Sequence, residues 1–67
     1  MLGYKALATQ PQTAGDWLDK GIVLKDMNKY TEALKAIDEA IEKDPKLAKA
    51  WYEKGLTLEV LGRKKEA

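Results

Sequence analysis

The amino-acid sequence repeats itself every 34 residues, and a period of that length restricts the fold more than any other feature of the chain. Displaced by 34, Ala14 falls on Ala48, Trp17 on Trp51, Lys20 on Lys54 and Gly21 on Gly55. Leu24 then falls on Leu58, Glu32 on Glu66 and Ala33 on Ala67. These are seven identities in the twenty pairs from 14/48 to 33/67, where chance gives about one or two. Asp19/Glu53, Ile22/Leu56, Met27/Leu61 and Lys29/Arg63 are conservative pairs in the same alignment. The same displacement carries Ala40 to Ala6, Ile41 to Leu7 and Pro45 to Pro11. The chain therefore divides into the tail of one unit (1–13), a complete unit (14–47) and the front of a third (48–67).

Within a unit the spacing is helical. Trp17, Gly21, Leu24 and Met27 lie at i, i+4, i+7 and i+10, a stripe along one helix face, and Trp51, Gly55, Leu58 and Leu61 repeat it. Asn28-Lys29 and Gly62-Arg63 follow the two stripes, and both Asn and Gly suit the left-handed conformation that ends a helix. Thr31 is placed to cap the next helix, whose apolar face is Ala33, Leu34, Ile37, Ala40 and Ile41. Asp44-Pro45 closes that helix, because the residue before a proline is pushed out of the helical region, and Gln10-Pro11 does the same further back. The spacing predicts helices over about 2–9, 14–27, 31–43 and 48–61, with another starting at Lys65. Glycine inside a helix costs roughly 1 kcal/mol against alanine. Gly21 and Gly55 are therefore expected where two helix backbones cross closely, with Trp17 and Trp51 filling the core near the helix starts.

Composition removes most chemistry. The 67 residues include no Cys and no His, and no Ser occurs in the sequence. Disulfides, thiolate nucleophiles, zinc-finger spacings and the commonest general base are thereby excluded. No EF-hand-like loop is present. No catalytic residue, metal site or cofactor is expected, and the chain is read as a non-enzyme. Twelve basic against eleven acidic side chains, a formal net charge of +1, give no footprint for nucleic acid or an anionic membrane. No apolar run approaches the roughly 20 residues of a bilayer crossing, and the start does not read as a secretory signal. A cytoplasmic location follows by default.

The repeating residues resemble the tetratricopeptide repeat family, whose unit is a 34-residue helix–turn–helix. Trp17, Gly21, Leu24, Ala33, Ile37, Ala40 and Pro45 stand at its pattern positions in the full unit; Trp51, Gly55, Leu58 and Ala67 do so in the next. Lys20 and Lys54 stand where the family usually has Leu. Leu24, Leu58 and Ile37 replace its usual aromatics, changes of volume in a loose pattern. The resemblance implies an all-α fold of antiparallel helix–turn–helix repeats stacked as a right-handed superhelix. It also implies a concave face that binds a peptide or helix of a partner protein. On that face the first helices would present Leu18, Ile22 and Lys25, then Lys49, Tyr52, Leu56 and Glu59. Leu18/Ile22 and Tyr52/Leu56 would make a largely apolar groove. Lys and Asn clamps for a peptide carboxylate, found in some relatives, have no counterpart here. The alternative is a self-associating building block, a head-to-tail or swapped homo-oligomer, since a solenoid of under two units leaves apolar faces to cover.

Overall fold

A computed structural model describes the backbone of residues 13–66, and side chains as far as 63. It contains three helices: α1 (Ala14–Asp26), α2 (Tyr30–Lys43) and α3 (Ala48–Glu66). The helix expected over 2–9 lies outside the described residues.

The chain enters α1 through a device that periodicity does not show. Thr13 has extended backbone, and its hydroxyl accepts a hydrogen bond from the Asp16 amide at 3.1 Å. The Asp16 carboxylate in turn accepts from the Thr13 amide at 3.3 Å. This reciprocal capping box satisfies two amides that the first helical turn leaves open, and a cap of this type contributes about 1 kcal/mol. Asn28 ends α1 as expected, with φ of 66°. Its amide donates to the Lys25 carbonyl at 2.9 Å and the Lys29 amide to the Leu24 carbonyl at 2.8 Å, the pair of bonds that defines a Schellman turn.

Two expected boundaries are corrected. Thr31 does not cap α2; it lies one residue inside the helix, and Lys29 occupies the cap position without a side-chain hydrogen bond. The Schellman turn is so short that the next helix has begun at Tyr30, whose hydroxyl donates to Asn28 Oδ1 at 2.7 Å. The second correction concerns Gly62-Arg63, which does not break α3. The helix runs through both to Glu66, and no described glycine has positive φ. Arg63 bonds back to Glu59 at 2.8 Å, one turn away, across the expected break. The turn at Asn28 is held by α2 folding back on α1.

α2 ends at Lys43 as the following Asp-Pro requires. Asp44 Oδ1 accepts from the Lys46 amide at 3.1 Å, and this small turn delivers the chain to α3. α2 is the central element, packed along α1 on one side and α3 on another, while α1 and α3 meet over a short stretch only. Leu18, Ile37, Ala40 and Ala50 form the buried core, with Trp17, Ile22, Ile41 and Leu47 around it. Gly21 is buried where α1 crosses α2: a Cβ there would come within 2.6 Å of Ile37 Cγ1. Gly55 fills no such role among the described residues, since a Cβ on it meets none of their atoms within 4 Å. Trp51 likewise leaves the expected core and stands 50% exposed. No described helix is long and apolar enough to cross a membrane.

Candidate functional site

The side chains expected on the concave face come from α1 and α3, and the structure treats them unequally. Leu18 is only 4% exposed, in the core with Ile37, Ala40 and Ala50, so it presents no surface to a ligand. Its position is closed by α2 and the start of α3, which stack on α1; Tyr52, its counterpart 34 residues on, has no such cover and is 65% exposed. Ile22 is half-buried against the same core. Lys49 is exposed and Leu56 half-buried. One of the two expected apolar pairs, Leu18/Ile22, is thus spent mainly on the interior. Tyr52/Leu56 remains.

Two of the charged members, Lys25 and Glu59, are paired. Lys25 Nζ lies 2.7 Å from Glu53 Oε1, an ion pair that joins α1 to α3 across 28 residues of sequence. Glu53 is nearly buried, and the neighbouring Thr57 is fully so. The Thr57 hydroxyl donates to the Glu53 carbonyl at 2.8 Å, which spares it an unmet bond. The hydrogen bond to Glu53 raises the Lys25 pKa above its usual 10.5; burial opposes that shift, and the charges of Glu53 and Asp26 reinforce it. Glu59 is held by Arg63. Lys25, Leu56 and Glu59 line a cleft of about 380 Å³ together with Tyr30, Val60 and Arg63. The last three were not anticipated. Arg63 comes within reach because α3 continues past the expected break.

A larger cleft of about 610 Å³ lies between α1 and α2 and takes no residue from α3. Its apolar lining is Trp17, Leu24 and Ala36; Lys20, Lys35, Glu32 and Glu39 bring charges of both signs. Trp17 Nε1 is buried with no hydrogen-bond partner among the described residues. Sequence reading gave Trp17 and Leu24 to the core, and no repeated feature marked their outer edge as a cleft. Both clefts offer apolar contact, salt links and hydrogen bonds, the means of holding a polypeptide.

The Lys25–Glu53 pair carries a pH prediction. A raised folded-state pKa adds stability that is fully present below about 10.5 and is lost as pH climbs through the folded value. Lys25→Met leaves Glu53 buried and unpaired, and should cost about 2 kcal/mol at pH 7. Urea titrations of both proteins from pH 7 to 11.5 should show a constant gap up to about pH 10.5 and a shrinking one beyond it. A gap that is already absent at pH 7 contradicts the assignment.

Compared with known proteins, the chain is matched by the tetratricopeptide repeat family over residues 18–67. No curated protein and no solved structure matches it.

Proposed function

The chain belongs to the tetratricopeptide repeat family, and on that premise we propose that it binds a peptide or helix of a partner protein along the exposed side of α1 and α3. The family's repeats are protein–protein interaction modules in general. The finer reading rests on Tyr52. It is a large side chain standing mostly in solvent one helical turn from Leu56, beside a cleft whose rim carries Lys25, held by the buried Glu53, and Arg63 in an exposed pair with Glu59. An amphipathic aromatic on a rigid helix contributes contact area at low entropic cost, and anchored charges give orientation with little reordering. The recognition surface is therefore a narrow apolar ridge with charged edges, less apolar than a groove that also used Leu18.

The unit division at 14–47 and 48–67 belongs to the same proposal, as does a cytoplasmic setting with protein, not nucleic acid or membrane, as partner. Rim charges of both signs and a net charge of +1 support a polypeptide ligand. The test is selection of binding peptides from a random library displayed on phage, followed by Tyr52→Ala. Loss of at least about tenfold in affinity for the selected peptides, with the far-ultraviolet spectrum unchanged, is expected. Peptides that bind the Tyr52→Ala chain as well as the parent would move the site elsewhere.

A further inference from the structure

Around the cleft that takes walls from all three helices, the charges fall into two pairs and a remainder. Lys25 is closed on Glu53 at 2.7 Å, and Arg63 on Glu59 at 2.8 Å. The remainder is Asp26, which is exposed, lines the same cleft and makes no ion pair or hydrogen bond among the described residues. Two cations thus face three carboxylates, and the cleft is short of one positive charge.

The place of Asp26 on its helix sharpens the imbalance. It is the last residue of α1, where the carbonyl ends of the helix concentrate partial negative charge. A carboxylate is disfavoured there and a basic group favoured. Lys25, the basic residue of that last turn, has its ammonium engaged with Glu53 on α3. The field of Asp26 reaches Lys25, but no ion pair joins them. A cation entering the cleft would meet a full carboxylate charge and the end of a helix dipole together. Beside this charge the lining is apolar. Leu56 and Val60 stand one turn apart on α3, each half-buried and so still offering surface. Tyr30 lines the cleft from the start of α2, its hydroxyl bound to Asn28. An aromatic ring and two aliphatic side chains suit the methylene stem of a long basic residue.

We propose that the polypeptide held on this side is a basic–aliphatic segment of the partner: a lysine or arginine pairs with Asp26, and a neighbouring leucine, isoleucine or valine lies on Leu56 and Val60. This rests on the reading that a peptide or helix binds here, and it adds the chemistry of that ligand. Charge complementarity selects it. An acidic segment would bring a further carboxylate to three already present. Its only cations within the lining, Lys25 and Arg63, would have to leave Glu53 and Glu59. For Lys25 that strands Glu53, which is only 7% exposed. A wholly apolar segment would strip water from Asp26 and give it no partner in return.

The probes are blocked synthetic peptides copied from binders selected on the parent chain from a random phage library. A lysine or arginine close to an aliphatic residue is expected to recur among them. Changing that basic residue to glutamate should weaken binding at least about tenfold. Asp26→Asn should weaken the unchanged peptides about two- to fivefold, as for an exposed ion pair. Asp26→Lys should weaken them at least about tenfold and invert the preference, so that the glutamate version binds better. Lysine suits a helix C-terminus, so the far-ultraviolet spectrum should not change. Asp19→Lys makes the same change of net charge at an exposed position outside both clefts, and should leave the preference as it is. Equal binding of the lysine and glutamate peptides by the parent, or equal effects of Asp26→Lys and Asp19→Lys, overturns the proposal. In either case a loss on Tyr52→Ala would still uphold the ridge. Inversion at Asp26 with no effect of Tyr52→Ala would uphold the cleft and remove the ridge, and a library that yields no binder overturns both. Sedimentation of the parent alone as a dimer that Asp26→Lys dissolves would make a second copy the occupant and overturn the proposal as well.

Discussion

Ile37→Ala is expected to remove about 4 kcal/mol of stability, a large share of what a chain of this length has. Ile37 is fully buried, lies in the cluster with Leu18, Ala40 and Ala50, and fills the hollow over Gly21. Truncating such a side chain loses its transfer free energy and leaves a cavity, together about 2–5 kcal/mol. The upper part of that range applies because Gly21 has no side chain and Ala33 only a methyl fixed on its helix, so neither can refill the space. A domain of this length has a total stability of only about 3–10 kcal/mol. Ile41, half-buried at the edge of the same cluster, should lose only about 1–2 kcal/mol on the same truncation. Urea unfolding followed by far-ultraviolet dichroism gives both numbers. Equal losses at the two positions would mean that Ile37 is not the residue on which the α1–α2 crossing closes.

The contrast between those two isoleucines was legible in the sequence only in part. Periodicity placed both on the apolar face of α2, and it located Asn28 and Pro45 at the helix ends, because these are consequences of local chemistry. The Thr13–Asp16 box is local too, but it falls at the seam between units, where a repeat comparison attends to what recurs: Lys46 and Leu47 precede Ala48 where Gln12 and Thr13 precede Ala14. Coverage is a different matter. Leu18 and Tyr52 hold equivalent positions 34 residues apart, yet one is core and the other mostly in solvent. The repeat fixes which direction a side chain takes from its helix, and the presence of a neighbour decides whether anything meets it. The Lys25–Glu53 pair is equally non-local: its 34-residue counterparts are Glu59 and Asp19, so the repeat carries no trace of it. Of the side chains expected on one face, the structure therefore turns Leu18 into the core and leaves Tyr52 mostly in solvent.

Gly21 and Gly55 put that distinction to a direct measurement, since alanine at the two positions should change stability in opposite directions. Both sit inside helices, so alanine adds about 0.5–1 kcal/mol at each by reducing the entropy of the unfolded chain and favouring helix. At Gly55 no described residue opposes the gain, because the new methyl meets none of their atoms within 4 Å. At Gly21 the methyl would stand 2.6 Å from Ile37 Cγ1 and 3.2 Å from the Ala33 carbonyl oxygen. Neither neighbour yields easily. The Ile37 atom belongs to a β-branched side chain, stiff at χ1 and buried on all sides, and the oxygen is helical backbone. Overpacking of this kind costs about 1–3 kcal/mol, which outweighs the helical gain at most of that range. The two variants should consequently differ by about 1–3 kcal/mol, or about 5–20 °C in Tm for a domain of this size, with Gly55→Ala above the parent and Gly21→Ala below it. Thermal unfolding of the three proteins in one buffer decides the matter. If both variants melt above the parent, α1 and α2 do not cross closely at Gly21. If both melt below it, the face of α3 around Gly55 is covered in solution, and peptide titration and sedimentation would then have to identify its cover.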